Sequence, residues 1–158
     1  MRQVKKIHIA VEQLEDSLKA YFEGRFHSAI VLAGAAEQLL AGYVLKHGLT
    51  PAWSHIRAAI VKIANGLKEM DGDGASPTTE KDIGDLMNRV YNNSKHAGTK
   101  DHEVWMDPKL AAQEVIDRAI SNYDVLFSRS DYDLPDLSLI QRFMMESIGE
   151  FSIEEREA

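Results

Sequence analysis

Between Ser28 and Leu45 the chain carries only two strongly polar side chains, Glu37 and Gln38. A helix over this run would be apolar around nearly its whole circumference. Such a helix has no solvent side and must be enclosed by other elements. Its small residues, Ala29, Ala33, Gly34, Ala35, Ala36, Ala41 and Gly42, let neighbouring helices approach closely. Glycine inside a helix costs about 1 kcal/mol relative to alanine, so Gly34 and Gly42 read as packing positions. Glu37 falls on the stripe formed by Phe26, Ala29, Ile30, Ala33, Leu40 and Val44. A carboxylate there is expensive unless it is paired or protonated.

The remaining pattern is helical as well. Val4, Ile7, Val11, Leu14, Leu18 and Tyr21/Phe22 recur at spacings of three and four, predicting an amphipathic first helix that stops near Gly24. The central helix is expected from Phe26 to His47, with Gly48 as its C-terminal cap. Thr50-Pro51 predicts an N-cap and first-turn proline for a third helix through roughly Ala64. Met70 to Ala75 is rich in turn formers. Ser76-Pro77 then opens a fourth helix ending near Gly98, and Asp107-Pro108 opens a fifth that uses Leu110, Val115, Ile116, Ile120, Tyr123 and Phe127. After Leu134-Pro135 a last amphipathic helix carries Leu139, Ile140, Phe143, Met144 and Ile148. The expected fold is all-α, a single up-and-down helical bundle of five to six helices. Residues 1–128 form the bundle. Residues 129–158 form an acidic segment with one amphipathic helix, which either completes the same domain or serves as an interaction tail.

The 158 residues suffice for one domain with a real core. The sequence contains no cysteine, which removes disulfides, thiolate nucleophiles and thiolate metal ligands from consideration. The basic start, Met1 to Lys6, leads into no apolar signal core, and Glu37 and Gln38 interrupt the longest apolar run. The expectation is a cytoplasmic protein with no membrane partner. A formal charge of −7 argues against a protein that coats nucleic acid. The acid is concentrated, however: residues 129–158 hold eight acidic side chains against three arginines, leaving a net −2 for the rest. A local basic site in the body is compatible with that balance.

The segment Leu86 to Gly98 carries the chemistry. On a helical period Arg89, Asn92/Asn93 and His96 stand above one another, while Ile83, Met87, Val90 and Ser94 occupy a different, core-facing side. A cation, amides and an imidazole aligned beside a helix end suit a phosphodiester. In the alternative reading, Arg89 pairs with Asp82 or Asp85 and His96 only caps the helix. His8, His27, His47, His55 and His102 are scattered without the close pairs that helical metal sites use, so no metal and no cofactor is expected.

Ala35-Ala36-Glu37-Gln38-Leu39-Leu40 together with Asn93-Ser94-Lys95-His96 resembles the HEPN group of helical-bundle proteins, especially small bacterial members. Tyr21-Phe22-Glu23-Gly24 resembles the turn that precedes their alanine-rich helix, and the likeness covers roughly Val11 to Phe127. It implies a bundle of four to five helices that is often a homodimer. Active members are metal-independent RNases of toxin–antitoxin or defence systems that use an arginine and a histidine a few residues apart. Arg89 and His96, with six residues between them, match the longest spacing of that pattern. Val90 stands where many active members have a polar residue, and Tyr91 where a common form of the motif has its arginine.

On this reading His96 moves the proton of a ribose 2′-hydroxyl or returns one to the leaving oxygen, as its ordinary pKa near 6.5 allows. Arg89 holds the phosphate. Asn92 or Asn93 orients sugar or phosphate, Lys95 adds positive charge, and Glu37 supports the pair or is bonded between helices. The partners implied are a second copy, RNA or a nucleotide, and an antitoxin or other protein. The alternative is a non-catalytic helical dimer that binds nucleotide, RNA or protein.

Overall fold

In the computed structural model the described residues are 3–72, 75–95, 105–129 and 131–157, the last ten of these by backbone alone. They form six helices and no strand: α1 (Lys6–Phe22), α2 (Phe26–Lys46), α3 (Ala52–Asp71), α4 (Glu80–Lys95), α5 (Pro108–Phe127) and α6 (Ser138–Glu157). The protein is an all-α helical bundle.

Helix α2 is the hub. It packs against α1 on one side and α5 on another, and α4 also rests on it. Ala29, Ala33 and Ala36 are fully enclosed, as are Ile30, Leu40 and Val44. By length and composition α2 is also the one described helix apolar enough to cross a membrane. Its last turn closes as the glycine predicted: Gly48 takes φ +70°, and the Leu49 N–H reaches back to the Val44 carbonyl. Leu14 and Leu18 of α1, Ile116 and Leu126 of α5, and Phe143 of α6 complete the core. Phe143 meets the Tyr21 ring edge-on at 5.2 Å between centroids, and the Tyr21 hydroxyl donates to Glu146. Burial, with Glu146 nearby, pushes that phenol up to about 12. Leu110 and Phe127, expected among the apolar positions of α5, are about half exposed, as is Met144 of α6.

Three boundaries differ from the sequence expectation, each for a local reason. Helix α3 continues beyond Ala64 to Asp71 and ends where Gly72 enters the left-handed region. Its start takes no cap from Thr50; Pro51 occupies the N-cap position, and the free Ala52 N–H donates instead to Asn122 Oδ1 of α5 at 2.9 Å. Helix α4 begins at Glu80, not at Ser76-Pro77. The Asn65 side-chain amide bonds both the N–H and the C=O of Thr78, which holds that residue out of the helix. Thr79 and Asp82 then close a reciprocal cap, with Thr79 donating to the carboxylate and the Asp82 N–H donating to Thr79 Oγ1.

Candidate functional site

Helix α4 owes its position to one aromatic ring. Tyr91 is buried and packs closely against Gly34 of α2, where any Cβ would overlap the ring. Ile83 is buried a few turns earlier, and Val90 packs on the edge of the core. With those side chains turned inward, the helical period turns Arg89, Asn92 and Asn93 outward, and all three are exposed. Lys95 is exposed too, but its ammonium sits over the Tyr91 ring, 3.8 Å from the centroid. The same ring thus meets both the α2 backbone at Gly34 and a cation of its own helix. Ser94 is turned back on its own helix, donating to the Val90 carbonyl.

The acids that sequence offered as partners of Arg89 are otherwise engaged or apart. Asp82 serves the cap with Thr79, whose hydrogen bonds hold its carboxyl below the usual range. Among the described residues Arg89 makes no ion pair and no side-chain hydrogen bond. A free guanidinium beside two free amides offers donors that converge on a phosphate or a sugar edge. His96 lies outside the described residues, as do Ala97 to Val104.

Glu37 belongs to a different neighbourhood. It is half-buried on α2, and burial raises its carboxyl pKa, with the Arg118 guanidinium of α5 pulling the other way. Arg118 is only 4% exposed. Burial lowers its pKa, while the carboxylates of Glu37, Glu114 and Asp117 oppose that shift. Its guanidinium is stacked over Trp53 of α3 at 4.8 Å. The charged group that Glu37 answers is therefore Arg118, and the described geometry gives it no direct tie to Arg89. Arg118 and Asn122 are the residues that sequence reasoning passed over. The signal was present: Ala111, Val115, Arg118 and Asn122 follow a spacing of four, three and four on the buried side of α5.

The described residues gather no group of three or more potential metal ligands. Compared with known proteins, the chain matches no family model, no curated protein and no solved structure.

Proposed function

We propose that this bundle is an HEPN-like RNA-directed protein whose exposed α4 face grips the RNA backbone, and that it cleaves RNA without a metal through Arg89 and His96. The observation that carries the proposal is the unpaired Arg89 guanidinium presented beside Asn92 and Asn93. In the reaction His96 accepts the proton of the ribose 2′-hydroxyl, and the 2′-oxygen bonds to phosphorus. The bond to the 5′-oxygen breaks, and that oxygen leaves with the proton returned by His96. The products are a cyclic phosphate and a 5′-hydroxyl end. Arg89 opposes the charge gathering on the phosphoryl oxygens.

One observation favours the non-catalytic alternative. Tyr91, at the position where a common form of the motif has arginine, is committed to the core against Gly34. Binding and cleavage must therefore be read separately. In excess EDTA, wild-type protein should cleave mixed RNA to cyclic-phosphate ends, and His96→Ala should slow this about 10²–10⁴-fold while still binding. Arg89→Ala should lose cleavage, weaken binding and shed about one phosphate contact from the salt dependence of that binding. Binding without cleavage selects the non-catalytic module. RNA that is neither bound nor cut at high protein concentration overturns the proposal.

A further inference from the structure

Helix α5 encloses two polar side chains, one turn apart, whose donors find no acceptor in the chain. Arg118 is 4% exposed and Asn122 1%. Among the described residues Arg118 makes no hydrogen bond and no ion pair; its Nε is buried without a partner, and so is Asn122 Nδ2. Both side chains meet the start of α3. The Arg118 guanidinium lies over the Trp53 ring at 4.8 Å, and Asn122 Oδ1 accepts from the Ala52 N–H at 2.9 Å. That bond identifies the oxygen end of the amide and leaves its NH₂ as the free end. Trp53 is the second residue of α3, so its N–H has no intrahelical carbonyl to meet, and the positive end of the helix dipole falls at the same place.

An enclosed guanidinium without a hydrogen-bonded anion is among the costliest groups a fold can carry, and native interiors seldom leave such donors unmatched. The surrounding acids do not match it. Glu37, Glu114 and Asp117 act on Arg118 through their charge, yet none forms an ion pair or hydrogen bond with it, and Glu114 and Asp117 are exposed.

We infer that the junction of α3 and α5 is a binding site for the carboxylate of a small organic acid, held by Arg118 and the Asn122 amide beside Trp53. Its occupancy does not depend on what the α4 face binds. Because the ring covers one face of the guanidinium, the ligand meets the edge, where paired N–H groups match the two oxygens of a carboxylate. The acids around Arg118 favour a single negative charge over a phosphate dianion. Entry follows from the character of α3, which has no fully buried side chain and can swing from α5 at small cost.

Trp53 reports on the site once Trp105, which is 95% exposed, is replaced by phenylalanine. Full-length Trp105→Phe protein is titrated with acetate or succinate at an ionic strength held constant with chloride. Trp53 emission should change saturably with either acid, and the melting temperature should rise with acid concentration. In that background Asn122→Asp keeps the acceptor for the Ala52 N–H but puts negative charge where the free donor was. It should retain the circular dichroism of the parent and weaken acetate binding at least about tenfold. Glu37→Gln removes a competing charge and should tighten binding. Arg118→Met should melt higher than its parent in chloride alone and show no response to acid. No saturable change with either acid, an unaltered response in Asn122→Asp or Arg118→Met, or inorganic phosphate bound as tightly as acetate would each overturn the inference.

Discussion

Glu37 is the residue whose cost can be read most directly. Its carboxyl titrates above the ordinary value of 4.5 because burial disfavours the charge, and Arg118 only partly offsets that. The folded protein therefore holds this proton more tightly than the unfolded chain does. Stability falls as pH rises through the interval from the unfolded to the folded pKa, and the loss is complete above it. Glu37→Gln should thus raise the melting temperature at pH 7, with the gain shrinking toward zero below about pH 4. A lower melting temperature at pH 7, or a gain that does not change with pH, would show that the pairing with Arg118 outweighs burial. Sequence alone revealed that Glu37 sits on an apolar stripe and needs compensation. It did not reveal Arg118, because that partner arrives from α5, 81 positions along, and adjacency across helices leaves no local mark.

At the scale of elements, the contact between Gly34 and Tyr91 fixes where α4 lies on α2. Gly34→Ala sets a methyl group into the ring and should cost about 1–3 kcal/mol in chemical denaturation, since overpacked cores relax only by strain. Much of that loss should return in Gly34→Ala combined with Tyr91→Leu. A neutral single variant would mean that α4 is held elsewhere. Helix periodicity predicted the exposed face of α4, because Arg89, Asn92 and Asn93 follow from the period alone. Tyr91 was less legible: sequence marked it as a motif position, while tertiary packing uses it as an anchor. The same division runs through the caps. Gly48 is a local signal and was readable. The cap of α3 is supplied by Asn122 and the delay of α4 by Asn65, both of them tertiary bonds that no window of neighbours contains.

Across the molecule, the helices divide by how deeply they are set. Helices α1, α2 and α5 share the core, whereas α3 contributes no fully buried side chain and α4 only Ile83 and Tyr91. A segment with so little apolar surface enclosed has little to lose by letting go, so the α3–α4 hairpin should open as a unit well below the free energy of global unfolding. Native-state hydrogen exchange should find its amides released first, with α1, α2 and α5 protected to the end. Equal protection in all five helices would contradict this. With α3 and α4 released first, the bundle is two layers of unequal permanence: a lasting three-helix frame, and a two-helix leaf that carries the proposed RNA-binding face and can detach without the frame dissolving.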